Sequence, residues 1–459
     1  MSTELDSELL ASLVALVGDE GALDALYAHG HSSNWCAEPV HLSGHRYVVD
    51  ASTGEIVESL VTAELEGGQY WKACGTRRST RCPSCATLYK GDARQIVLRG
   101  LAGAKDVEQS VAEHPKVFAT LTAPGFGAVH RRTHLDQPCH PGPKGCCEHG
   151  RARSCLFHHR EDDAVVGEAL CCDCYDYEAA VLFNASVSEL WRRTAITTRR
   201  QLGRLVGLSA RELDDTVRVS YVKVAEFQRR GVVHLHVLTR LDAADGGAPP
   251  RTLDAGQLCV ALGLARVMVK LAYPAGRGAA RWGEQFDCSP VEPQCSEQSG
   301  KVANYLAKYA TKGSDDEGVL DRRIASEVDL EARALPPQLH AMVATAWRLG
   351  GDPELEDLNL RHWSHTLGLR SHFLTKSRGY STTFKALRAA REAHQRAVGA
   401  ERRDEPCTEQ RELVVISEFE YAGRGWPGRA ATYLAAGERD RAVEARRLAR
   451  DELGEGGLP

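Results

Sequence analysis

Hydrophobic and polar positions alternate most regularly between Val217 and Arg240. Val217 to Gln228 (VRVSYVKVAEFQ) is rich in β-branched and aromatic residues, Arg229-Arg230-Gly231 is turn-like, and Val232 to Arg240 (VVHLHVLTR) is apolar again. The pattern predicts two antiparallel strands joined by a tight turn. Strand side chains alternate between faces, so His234 and His236 share one face while Val233, Leu235 and Val237 point into a core. Further along, residues 301–312 (KVANYLAKYATK) predict a helix. Tyr305 and Tyr309 are four apart and share one side of it, about 5–6 Å apart at Cβ. Lys308 and Lys312 form a second such pair. Residues 118–125 (FATLTAPG) read as a short strand entering a turn, with Thr120 and Thr122 on one face. Helical periods run through residues 1–30, 175–211, 257–272 and 338–349, and residues 281–291 look like another strand.

The cysteines add a second layer. Fifteen in a chain of 459 residues is a high count. Their CxxC clustering favours structural zinc over the disulfide framework of a small secreted protein. Cys82-Pro-Ser-Cys85 is a knuckle-type turn, and Cys36 and Cys74 are available to close a tetrahedral site with it. A second cluster spans 139–174. Cys155 and His159 (C-x3-H) with Cys171 and Cys174 (C-x2-C) have good zinc spacing. Cys139, Cys146, Cys147, His149, His158 and Cys172 are left over, to form a further site or to exchange with these ligands.

Charge changes the picture once it is divided along the chain. The net charge is −5, but residues 1–66 hold 12 acidic residues and one basic residue, Arg46. The rest has 57 less 1 basic and 62 less 12 acidic residues, a balance of +6. Arg192, Arg193, Arg199, Arg200 and Arg204 occur with no acid between them, and residues 361–391, including Lys376 and Arg378, hold seven basic residues and no acid. Such runs suit phosphate contact. No apolar run reaches the ~18 residues needed to span a membrane. The acidic N-terminus lacks a secretory n-region. The expectation is therefore a cytoplasmic protein without membrane contact.

Strand, His-x-His hairpin and Tyr-x-x-x-Tyr helix, in that order, resemble the three motifs of the HUH endonucleases. They look most like rolling-circle replication initiators of the two-tyrosine kind. E-F-Q-R-R-G-x-x-H-x-H followed by Y-x-x-K-Y is similar to replication initiators of actinobacterial plasmids, and the likeness runs from the N-terminal cysteines to about Arg391. The resemblance implies an α+β fold, a ferredoxin-like antiparallel sheet with helices behind it. The expected segments are an acidic helical stretch 1–34, a zinc-ribbon-like module 35–95, an endonuclease domain 96–350 with an insertion at about 139–174, and a basic, mostly helical region 351–459.

The resemblance also implies a chemistry. Glu226, His234 and His236 would hold Mg²⁺ or Mn²⁺ against a scissile DNA phosphate. Tyr309, with Tyr305 as partner or in the reverse order, would attack phosphorus, and Lys308 and Lys312 would help the phenols ionise. The expected DNA contacts are Thr120, Thr122, His130, Arg192, Arg193, Arg229, Arg230, Lys376 and Arg378. A free 3′-OH would prime a polymerase. The chain has no G-x-x-x-x-G-K-[ST] loop, so unwinding would fall to a host helicase. A two-tyrosine transposase would share the hairpin, the tyrosines and the cysteines. A non-catalytic, zinc-stabilised DNA-binding protein would need only the cysteines and the basic runs.

Overall fold

The computed structural model describes residues 6–104, 107–134, 137–142, 144–292, 296–315, 320, 322–402 and 413–455. It is α+β, with antiparallel sheets and helices, and divides into two compact units, Met1–Asp92 with Thr383–Pro459, and Ala93–Thr382. This division differs from the four expected segments. The chain ends share a unit, and residues 351–382 belong with the hairpin.

In the first unit the strand Val40–Asp50 pairs along its length with Leu413–Arg424, from Val40 opposite Arg424 to Asp50 opposite Leu413. Ile56–Val61 and Tyr70–Lys72 pair with the same central strand. The C-terminal region is thus not only helical. Its apolar run LVVISEFEY lies in a 12-residue strand. Gly44 is needed at this seam. Its φ is +143°, and a Cβ there would sit 2.1 Å from the Glu418 carbonyl oxygen.

The second unit is built on a five-stranded antiparallel sheet. Its order is Leu374–Lys376, Val217–Phe227, Val233–Ala243, Lys116–Leu121, Phe286–Pro290. The predicted alternation holds. Ala225, Phe227, Val233, Leu235 and Val237 are buried in one core with Leu182, Phe183, Leu190 and Trp191 of the long helix Tyr177–Leu205. Asp176 starts that helix by accepting from the Ala179 amide. The opposite face of the sheet carries Glu226, His234, His236 and Thr120, and the helix Ser296–Asp315 packs on the Val217–Phe227 strand. Cys259 and Cys288 pair as a disulfide between the helix Ala255–Met268 and the edge strand, so zinc is not the fate of every cysteine.

Between Leu121 and Tyr177 the described chain forms neither helix nor strand, only isolated bridges such as Val129 with Ala169 and His140 with Cys155. Among the described residues no helix is long and apolar enough to cross a membrane.

Candidate active site

The hairpin register places Glu226 directly opposite His234, and His236 between Val224 and Thr120. Glu226 Oε2 lies 2.6 Å from His234 Nε2 and 2.9 Å from His236 Nε2. Two imidazoles and a carboxylate therefore converge from adjacent strands. Burial alone would push the Glu226 carboxyl up, but the hydrogen bonds from the two histidines outweigh it and hold it at about 2. Burial lowers the His236 pKa, which favours the neutral imidazole, the form that ligates a metal. Thr120 Oγ1 is 3.2 Å from His236 Nδ1 and fixes the far side of that ring. The set of two imidazoles and one carboxylate, with ligand atoms within 4.8 Å of one another, fits a divalent cation with positions left for substrate oxygens.

The tyrosine helix covers this face. Ala303, Leu306 and Ala307 are its buried side, and Tyr305 and Tyr309 share another side beside His236. The His236 ring is 5.2 Å from the Tyr305 ring and 4.9 Å from the Tyr309 ring, and the two phenol rings are 4.5 Å apart. Burial, then the hydrogen bond with Tyr309, raises the Tyr305 pKa. Lys308 Nζ lies 5.7 Å from the centre of the Tyr309 ring. The Lys312 side chain lies outside the described residues. Phe118, not singled out from the sequence, stacks on His236 and meets Tyr305 edge-on.

The hairpin turn is held by a residue that sequence reading passed over. Asn184, buried in the long helix, donates to Gly231 O and Leu367 O, each at 2.9 Å, and accepts from the Val233 amide at 3.0 Å. An asparagine inside the apolar run VLFNASV was the available signal. Gly231 takes φ +78° in this turn, with Leu339 and Leu367 close against it.

Among the described residues, Cys and His form three groups whose ligand atoms lie within 4.8 Å of one another, namely Cys36-Cys74-Cys82-Cys85, His130-Cys139-Cys155-His159 and Cys147-His149-Cys171-Cys174. The first is the expected set. Its thiols stand 3.7–3.8 Å apart, and the Ala37 and Cys74 amides donate to Cys82 and Cys36 sulfurs. The other two correct the expected single site. Cys155 and His159 do not meet Cys171 and Cys174, because the loop path brings His130 and Cys139 to the first pair and Cys147 and His149 to the second. Four thiolates, two thiolates with two imidazoles, and three thiolates with one imidazole are all donor sets that suit tetrahedral zinc. Cys146, His158 and Cys172 join none of the three groups.

Several expected DNA contacts are placed elsewhere. His130 is drawn into the first Cys/His group of the insertion, with Nδ1 3.1 Å from His159 Nε2. Thr122 is buried and donates to Gln285 O at 2.7 Å. Arg192 and Arg193 both pair with Glu189, on the long helix that covers the sheet face opposite Glu226. Arg199 of the same run pairs with Asp214 and donates to two backbone carbonyls. The run reads as basic along the chain, but acids from the preceding turn and from the next helix neutralise part of it. Arg229 is exposed at the hairpin tip and donates to Asp163 O, while Arg230 is half-buried and donates to Gln228. Lys376 Nζ donates to Ser377 O at 3.2 Å, and Arg378 lines a cavity with Arg218 and Arg240.

Two comparisons bear on this arrangement. Residues 22–440 match the family RepSA, described as "Replication initiator protein, pSAM2". A replication initiator protein of Streptomyces ambofaciens is 39% identical over 444 residues, covering 92% of each chain. No solved structure matches the chain. With a match along most of its length and a relative this similar, the chain belongs to the RepSA family of replication initiator proteins.

Proposed function

We propose that this replication initiator is a nicking-joining enzyme of the HUH type that starts rolling-circle replication of a plasmid. The observation that carries the reading is the convergence of Glu226, His234 and His236 on one point, with the Tyr305 and Tyr309 rings within about 5 Å of His236. Mg²⁺ or Mn²⁺ held by that trio would polarise the scissile phosphate and stabilise the charge that builds on its oxygens. Tyr309 attacks phosphorus as the phenolate, and Lys308 stabilises its charge. The bond to the 3′ oxygen breaks, and that oxygen takes up a proton from water. The products are a 5′-phosphotyrosine and a free 3′-OH, which primes a host polymerase while a host helicase unwinds. Tyr305 lies on the same side of the helix and takes the second strand end, so ends are exchanged and rejoined without losing the bond energy. Thr120 keeps His236 oriented. Zinc in the three Cys/His groups braces the insertion and the N-terminal module.

The test is incubation with single-stranded DNA from the region flanking the gene, plus Mn²⁺, followed by mass spectrometry of the DNA-linked peptide. A phosphotyrosine adduct on the peptide carrying Tyr305 and Tyr309 is expected, with loss of first-strand capture in Tyr309→Phe. An active wild-type preparation that binds this DNA but forms no adduct overturns the reading and leaves a non-catalytic binder.

A further inference from the structure

The insertion exposes two large apolar side chains at its surface. Leu156 and Phe157 are 74% and 75% exposed, between the Cys/His group members Cys155 and His159. Leaving them in water forgoes about 1.5–3 kcal/mol each relative to burial. The backbone beneath them is nonetheless tightly held. Cys155 exchanges both amide–carbonyl bonds with His140, at 2.8 and 3.0 Å, and the Cys139 amide donates to Phe157 O at 2.9 Å. His158 turns inward to Thr133 Oγ1 at 3.1 Å, and Cys155 Sγ stands 3.3 Å from His159 Nε2. The two side chains are therefore presented outward on a backbone pinned on both sides.

The loop carries both charges. Residues 131–163 hold six Lys and Arg against five acids, a balance of +1, and Arg132 and Arg160 pair with Glu161 and Asp162. Lys144, Arg151 and Arg153 are exposed. Two apolar side chains in a loop that also exposes three cations are too small a patch for a protein interface core, but they match a DNA base step, where Phe and Leu wedges unstack bases while Arg and Lys hold the flanking phosphates. We propose that Leu156 and Phe157 are a strand-opening wedge that enters a base step of duplex DNA. The inference rests on the nicking reading. A nuclease specific for single strands needs its duplex origin opened, and a wedge carried on the same compact unit supplies the first unstacked step.

The test uses the full chain with Tyr305→Phe and Tyr309→Phe, so that no strand is cut, bound to closed circular DNA carrying the gene and its flanks. The DNA is relaxed by a topoisomerase with the protein bound and then stripped of protein. A lowered linking number relative to DNA alone is expected. Adding Leu156→Ser and Phe157→Ser should abolish the shift while filter binding to the same DNA stays within about threefold, and Phe157→Trp with Leu156 retained should keep it. Both positions face solvent, and unchanged zinc content and melting temperature check the fold. With the tyrosines restored, the serine pair should nick single-stranded DNA at the wild-type rate and supercoiled duplex at least tenfold more slowly. No linking-number shift from the tyrosine-free protein overturns the wedge, as does an undiminished shift from the serine pair. Loss of self-association in sedimentation without loss of unwinding assigns the pair to a protein contact instead. If wild type nicks neither DNA but the linking-number shift is present, the nicking reading fails and the wedge stands.

Discussion

The two ends of one hairpin face solve the same problem differently. At one end Glu226 sits between His234 and His236. Roughly 26 Å further along the strand from His234, which pairs with Glu226, Asp242 sits on the same face between Arg240 and His114. Asp242 accepts from Arg240 at 2.6 and 3.0 Å, from Ser220 at 2.5 Å, and lies 2.8 Å from His114 Nδ1. Arg240 also donates to Gly100 O and Gly379 O. That end is closed: the Asp242 and Arg240 side chains are 0% and 2% exposed. The Glu226 end remains partly open, with Glu226 at 11% and His234 at 17%. A guanidinium never gives up its charge, so Asp242 is committed to an ion pair. A neutral imidazole carries no charge and offers a ring-nitrogen lone pair, so the Glu226 carboxylate and two imidazoles are open to a cation. Identical strand geometry thus makes a structural brace with arginine and a metal-competent site with histidine.

The comparison breaks most visibly at Asp242. Asp242→Ala strands a buried Arg240 and should cost about 3–5 kcal/mol in denaturant unfolding, with nicking per folded molecule unchanged. Reduced nicking at full stability would mean that the closed end takes part in catalysis. Glu226→Gln should instead strike the chemistry, with metal-dependent nicking reduced about 10²–10³-fold. Thr120→Val removes the partner of His236 Nδ1 and should weaken Mn²⁺ binding about 10–100-fold, measured by calorimetry. Wild-type Mn²⁺ affinity in that variant would remove Thr120 from the site.

The smallest effect is in acid. Asp242 is held at about 2 against its ordinary 3.8, so its contribution to stability is full above pH 3.8 and fades as pH falls through about 2. Asp242→Asn should flatten that stretch of the stability curve, and an unchanged acid limb would show that other carboxylates carry it.

Much of the candidate site was legible along the chain. The faces of the hairpin follow from strand alternation, and the shared side of Tyr305 and Tyr309 from helical spacing, because both are local rules. The Cys36, Cys74, Cys82 and Cys85 set is brought together as expected, but Cys82-Pro-Ser-Cys85 opens the helix Pro83–Ala102 where a knuckle-type turn was expected. The partition of the insertion was not legible. Spacing pairs Cys155 with His159, but it cannot tell which distant pair arrives opposite, and here His130 comes from 25 residues upstream of Cys155. Glu189, three and four residues before Arg192 and Arg193 on the same helix, pairs with both by a local spacing that a count of charges from Arg192 onward passes over.

Local alternation and residue type by themselves determined the hairpin strands, the tyrosine helix and the kinds of ligand available. Tertiary structure alone decided that residues 40–50 and 413–424 pair as strands, that Asn184 clamps the hairpin turn, and that His130 and seven Cys and His residues of the insertion sort into two groups. The reason is that a dihedral preference acts over a few residues, whereas ligand convergence and strand pairing depend on where a long chain returns in space.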